Sequence, residues 1–110
     1  MKILLDENID VRFKNLFDIN EHQVFIVRDM NWLGIKNEEL LKLLQSNQSD
    51  ILIAVDKNIP YQQNKENLPI SIIILNVKRN VLPRISALYP LIIEIISKPV
   101  KKEILVVDEE

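Results

Sequence analysis

The chain has 110 residues, 47% hydrophobic and 27% charged, which suits one compact globular domain spanning 1–110. A formal net charge of -2 gives no global support for non-specific nucleic-acid binding, and a single glycine, Gly34, excludes a glycine-rich phosphate loop. The lack of Cys removes disulfide frameworks, thiolate metal sites and Cys nucleophiles, and fits a reducing compartment.

Residues 2–5 (KILL) read as a short buried strand. Ile9, Phe13, Leu16 and Phe17 recur at helical spacing, predicting a helix over 8–17 with Asn8 as its N-cap. Val24 to Val27 is a second strand, ending at Arg28-Asp29. Asn37 reads as an N-cap, with Leu40, Leu41 and Leu44 on one face of a helix running to about Gln45. Ile51 to Val55 and Ile70 to Leu75 are the third and fourth strands. Pro83 suits a helix first turn, and Ile85, Leu88, Ile92, Ile95 and Ile96 continue its pattern. Pro90 falls inside that pattern, so the helix is kinked or split there. Ile104 to Val107 is a last strand before an acidic tail.

The apolar runs SIIIL (71–75) and LIIEII (91–96) are far too short to span a bilayer. At the N-terminus, MKILLDEN has an apolar run too short for a signal peptide, with acids directly behind it. The expectation is a soluble, cytoplasmic protein with no membrane partner. Strands alternate with helices, and several strands are unbroken apolar runs. That pattern predicts an α/β fold with a mainly parallel sheet covered on both faces. Right-handed crossovers then gather the C-terminal strand ends on one edge, where ligands bind in open parallel sheets.

Three candidate strands end on a carboxylate, at Asp6, Asp29 and Asp56, and Glu38-Glu39 opens the second helix. Asp6 and Asp56 are the better pair, because each directly follows an apolar strand. Two ionised carboxylates held close repel, and a shared proton, a Lys or Arg, or a divalent metal relieves them. Oxygen ligands without Cys favour Mg2+ or Mn2+ over zinc. The competing reading is that each Asp makes a helix cap or an Asx-turn. For any one acid that reading leads. For Asp6 and Asp56 together, with Glu39 and Asp29 at hand, the metal site leads. Glu7 and Glu38 are expected to face solvent or support a helix N-terminus.

Asn58, Gln62, Gln63 and Asn64 either hold a ligand or satisfy the backbone of a turn begun by Pro60-Tyr61. Asn58 is the best functional candidate of these, two residues past Asp56. Arg28 is expected to pair with Asp29 or another acid, with phosphate binding as the minority reading. Lys78, Arg79 and Arg84 form a basic group whose default reading is a solvated face. His22, the only His, is expected on the surface beside Glu21, a poor place for a catalytic base. Trp32 and Leu33 are expected to pack as a lid over the core. No Ser–His or Cys–His arrangement has obvious members, which leaves a metal-activated water as the available chemistry.

LLDEN, then VRD followed by W-x-G, then KNEELL, then VDKNIPYQQN resembles the DUF5615-type PIN-like domains, relatives of the PIN-domain ribonucleases and of the Mut7-C domain. The resemblance covers nearly the whole chain, and its last third matches only in general pattern. It implies a three-layer α/β/α sandwich with an acidic pocket at the strand ends that takes Mg2+ or Mn2+. It also implies a metal-dependent endoribonuclease, a hydrolase acting on RNA, and often the toxin of a toxin–antitoxin pair with a small antitoxin protein as partner. Carried over by position, Asp6, Glu39 and Asp56 would be the metal ligands and Asn58 the accompanying polar residue. Asp29 matches a recurrent Arg-Asp pair, and Arg28, Lys57 or Lys78 would contact phosphate. Many relatives carry Asp where this chain has Asn37, and many PIN nucleases carry it where this chain has Asn58, so less negative charge is available to a second metal. A homo-oligomer is compatible with this reading. Two alternatives stand beside it. One is a non-catalytic PIN-like binding or regulatory protein. The other is a receiver-like phospho-acceptor domain using Asp6, Glu7, Asp56 and Lys78.

Overall fold

The structure is a computed structural model that describes residues 1–55, 68, 70–98 and 102–109, residue 37 by its backbone alone. Among the described residues, five strands form one sheet: β1 (Lys2–Leu5), β2 (Gln23–Ile26), β3 (Ile51–Ala54), β4 (Ser71–Asn76) and β5 (Ile104–Asp108). Their order is β2-β1-β3-β4-β5, and every pairing is parallel. A 3-10 helix (Val11–Leu16) follows β1, α1 (Asn37–Ser46) follows β2, and α2 (Leu82–Ser86) and α3 (Tyr89–Ile96) lie between β4 and β5.

Parallel strands buried on both faces need apolar residues at every position, and β3 (ILIA) is buried throughout. Successive side chains point to opposite faces, so the sheet divides its apolar residues between two cores. One contains Ile3, Leu5, Ile53, Ile73 and Leu75 and is covered by Phe13 of the 3-10 helix, Ile85 of α2 and Ile92 and Ile96 of α3. The other contains Leu4, Leu52, Ala54, Ile72 and Ile74 and is covered by Leu40, Leu41 and Leu44 of α1. Helical elements therefore lie on both faces.

The two cores also record the winding. The β1→β2 connection steps outward toward one sheet edge, and the β4→β5 connection steps outward toward the other. Both pack their helices against the same face. In an all-parallel sheet these two crossovers must have opposite hands. The β2→β3 connection steps back across β1 with α1 on the other face, so it shares the hand of the first. A right-handed crossover is the strong rule, because a right-twisted strand feeding a right-handed helix packs back most easily that way. The last crossover departs from the hand of the first two.

Local sequence accounts for the helix ends. The segment after β1 tightens into a 3-10 turn rather than an α-helix over 8–17, and its cap is Asp10, not Asn8. The Asp10 carboxylate accepts from the Arg12 backbone N–H at 3.0 Å and from the Arg12 guanidinium at 2.6 Å. α1 begins at Asn37 with Lys36 in the cap position. It ends in a Schellman arrangement: Ser49 N–H donates to the Leu44 carbonyl at 2.9 Å, and Gln48 N–H to the Gln45 carbonyl at 3.1 Å. That puts Gln48 at φ 58, a conformation usually given to Gly. Pro90 splits the last helical region as expected: α2 and α3 each carry a Pro in their first turn, where the missing N–H removes no helical bond.

His22 differs from its expected surface place. Its side chain is only 13% exposed and meets the Phe17 ring edge-on at 6.2 Å between centroids. Phe17 in turn packs edge-on against Phe13 and Tyr89, so the ring joins an aromatic cluster at the margin of the first core. Among the described residues, no helix is long and apolar enough to cross a membrane.

Candidate functional site

The chain leaves β1 toward β2 over one face and returns from β2 to β3 over the other. The strand order thus reverses between β1 and β3. In open parallel sheets that reversal opens a crevice outside the C-terminal strand ends, and ligands bind there. Asp6 stands at that point. Its N–H donates to the Ile53 carbonyl at 2.9 Å, extending the β1–β3 ladder by one residue. Its carbonyl accepts from Ile9 N–H at 3.0 Å, closing a tight turn anchored by the buried Ile9 side chain. Asp6 is 7% exposed, one of few polar residues so deeply placed.

A cleft of about 280 Å³ opens beside it. Asp6, Glu7 and Arg28 are its charged lining. Ile9, Ile26 and Val27 form its buried apolar part, and Val11 and Leu33 its exposed rim. Arg28 was expected to pair with an acid. It is exposed, and its side chain has no ion-pair or hydrogen-bond partner among the described residues. The tight turn over 26–31 turns the chain back on itself, with Asp29 N–H bonded to the Ile26 carbonyl at 3.1 Å. Asp29 is exposed in that turn and does not line the cleft.

Glu7 does more than face solvent. Although exposed, its Oε2 accepts the Gly34 N–H at 3.1 Å, across 27 residues of sequence. Trp32 packs against the α1-side core, whereas Leu33 is 59% exposed and forms cleft rim rather than core lid. The W-x-G turn was a visible signal in the sequence. Its anchor on Glu7 was not, because nothing local relates the two segments.

Glu39 lies in the first turn of α1, which starts on the same sheet edge because it follows the C-terminal end of β2. Glu38 and Glu39 are both exposed there, a position that also favours acids through the helix dipole. Glu39 does not line the cleft. Asp56, Lys57, Asn58, Gln62, Gln63 and Asn64 lie outside the described residues. β1 and β3 are neighbours, so the strands that carry Asp6 and precede Asp56 do end side by side. Among the described residues, no three His, Cys, Asp or Glu side chains form a group suited to a metal. Asp6, buried, and Glu39, exposed, are both carboxylates on this edge, oxygen donors of the kind Mg2+ or Mn2+ takes.

The expected basic group is divided by the structure. Arg84 Nη1 bonds Glu109 at 2.9 Å, tying α2 to the segment after β5. Lys78 and Arg79 remain exposed at the end of β4, on the same edge as Asp6. Asn80 donates to the Asn8 carbonyl at 2.5 Å and ties that loop to the turn after β1.

Fold and cleft together define an open parallel α/β protein with a charged cleft at the C-terminal ends of β1 and β2, beside the switch point between β1 and β3. No family model, curated protein or solved structure matches the chain.

Proposed function

We propose that this chain is a PIN-like, metal-dependent endoribonuclease, acting as the toxin of a toxin–antitoxin pair. One observation carries the reading: Asp6, a nearly buried carboxylate, sits at the switch-point crevice and shares a cleft with the uncommitted Arg28. The resemblance of LLDEN, W-x-G, KNEELL and VDKNIPYQQN to PIN-like domains supports the same assignment.

Asp6, Glu39 and Asp56 would hold the cation. Bound there, Mg2+ or Mn2+ would lower the pKa of a water and so supply the nucleophile for phosphodiester hydrolysis. Arg28 would hold the phosphate by paired N–H donors, a geometry that suits its non-bridging oxygens. Lys78 and Arg79, exposed on the same edge, would attract the neighbouring phosphates. Attack of water on phosphorus forms one P–O bond and breaks one bridging P–O bond, leaving a phosphate monoester and a hydroxyl.

The strand order also suits a receiver-like domain, but the winding argues against it. In a regular doubly wound sheet with right-handed crossovers, the helices between β4 and β5 would share the α1 face. Here they pack on the opposite face.

The test compares wild-type protein with Asp6→Asn on a mixed RNA pool, with Mn2+, Mg2+ or EDTA. The expected result is cleavage that needs metal and is lost in the variant. Cleavage that survives in Asp6→Asn would refute the assignment of the site. No cleavage, and no binding of Mn2+ by the wild type, would refute the nuclease.

A further inference from the structure

We propose that Val11 and Leu33 are the two walls that receive one unstacked nucleobase, so that the cleft selects single-stranded nucleic acid, and that Glu7 is the positioning residue for the Leu33 wall. This rests on the nuclease reading above.

Val11 is 42% exposed and Leu33 59% exposed. They come from different connections, one after β1 and one after β2, yet both line the cleft that holds Asp6 and Arg28. A single exposed apolar residue needs no explanation. Two that converge on one charged cleft form an apolar rim beside the cation of Arg28, with Asp6 and Glu7 the acids of the same lining. A nucleotide has that same division, with a flat apolar base beside an anionic phosphate. With the phosphate at Arg28, the attached base lies against the apolar rim. In a duplex that base is stacked and paired, and extruding it costs a few kcal/mol. A single strand offers its bases already unstacked.

Leu33 owes its place to an unusual loop. Asn31 at φ 61 and Gly34 at φ 79 are both left-handed. Trp32 N–H bonds the Val27 carbonyl at 3.1 Å, which holds the loop's first part to the end of β2. The second part is held by Glu7, whose carboxylate accepts the Gly34 N–H at 3.1 Å. A charge-assisted bond of this kind is stronger than a neutral one. Glu7 is therefore assigned to the wall, not to the cation.

The experiment measures binding of a 5′-fluorescein single-stranded hexaribonucleotide and of a labelled RNA hairpin stem by anisotropy, with Ca2+ in place of Mg2+. The full chain is compared with Leu33→Ser, Val11→Ser, Glu7→Ala and Glu7→Gln, and circular dichroism checks folding. Wild type should prefer the single strand, and Leu33→Ser should weaken that binding by about tenfold while leaving the stem unaffected. Glu7→Ala should behave like Leu33→Ser. Glu7→Gln should recover most of the affinity, because its amide oxygen still accepts from Gly34. Equal wild-type binding of stem and single strand, or a folded Leu33→Ser with wild-type affinity, would overturn the proposal. A Glu7→Ala variant that binds normally would overturn the role given to Glu7. Cleavage assayed separately with Mn2+ keeps the two readings apart. Selective binding with neither cleavage nor Mn2+ binding would sustain the walls and sink the nuclease, and cleavage with an unchanged KM in Leu33→Ser would do the reverse.

Discussion

The two ends of the sheet use charge differently. At the N-terminal end of the strands, polar groups line a second cavity of about 400 Å³, yet several of them are engaged with the backbone. The Asp50 carboxylate accepts the Lys2 N–H at 2.8 Å, and Lys2 Nζ donates to the Asn47 carbonyl at 2.6 Å while lying 5.3 Å from the Phe25 ring centre. The N-terminal ammonium donates to the Glu21 carbonyl at 3.1 Å. At the C-terminal end, Arg28, Lys78 and Arg79 are exposed without ion-pair partners among the described residues. Charges at the first rim close loops onto strands. At the second, Glu7 and Arg84 are likewise held, by the Gly34 N–H and by Glu109, while the three cations just named are not paired among the described residues. A polar cavity is thus a weak sign of function until its polar groups have been traced to their partners.

The contrast breaks most readily at Asp6. Asp6→Asn should lower RNA cleavage by at least about a hundredfold while circular dichroism stays native. Equal loss of structure would place Asp6 with the structural charges of the other rim. Asp50→Ala should do the opposite. Losing a charged acceptor for a backbone N–H should cost about 1.5 kcal/mol, read as a fall of roughly 6 °C in Tm, with RNA binding unchanged. Arg28→Ala should raise KM about tenfold and leave Tm within about 2 °C, since the side chain is exposed and holds no described partner.

Two smaller effects sharpen the structural side. Gln48→Gly should stabilise the protein by up to about 1 kcal/mol, because Gly adopts the left-handed position at the α1 C-terminus without the Cβ penalty. A thermal melt a few degrees higher would bear this out, and a lower one would refute the strain. The last concerns acid. The Arg12 guanidinium, and then the Arg12 backbone N–H, hold the Asp10 carboxyl at about 2, below the ordinary 3.8. A folded pKa below the unfolded one stabilises above the unfolded value, and that help is lost as pH falls from about 4 through about 2. Melts of wild type and Arg12→Ala should therefore converge at the acid end of that window. Arg12 is exposed and Asp10 partly so, and added salt should shrink the difference.

Much of the architecture was legible along the chain. The first strand appears where KILL predicted it, and the other strands within one residue at either end. The reason is that a strand buried on both faces must be apolar at every position, and such runs are visible without any tertiary knowledge. The break at Pro90 was legible for a similar reason, since a Pro ring and its missing N–H act locally. Asp6 could be singled out, with Asp56, because each directly follows an apolar run that reads as a buried strand.

Long-range placement was not legible. His22 looked like a surface residue because its neighbours are polar, yet the returning chain packs it against Phe17. Arg28 looked committed to Asp29 because they are adjacent, yet the turn over 26–31 leaves no ion pair between them. Glu7 and Gly34 meet through one hydrogen bond between segments separated by a whole strand.

By itself, then, the sequence determined which segments are strands and helices, that the central strands are buried on both faces, and where carboxylates follow them. These properties come from local sterics and hydrophobic periodicity, which act over a few residues. Tertiary structure decided the strand order, the reversed hand of the last crossover, which charges find partners and which two loops share a cleft. Those depend on contacts between residues far apart in the chain, where competing pairings differ by little in local energy and only the packed whole selects among them.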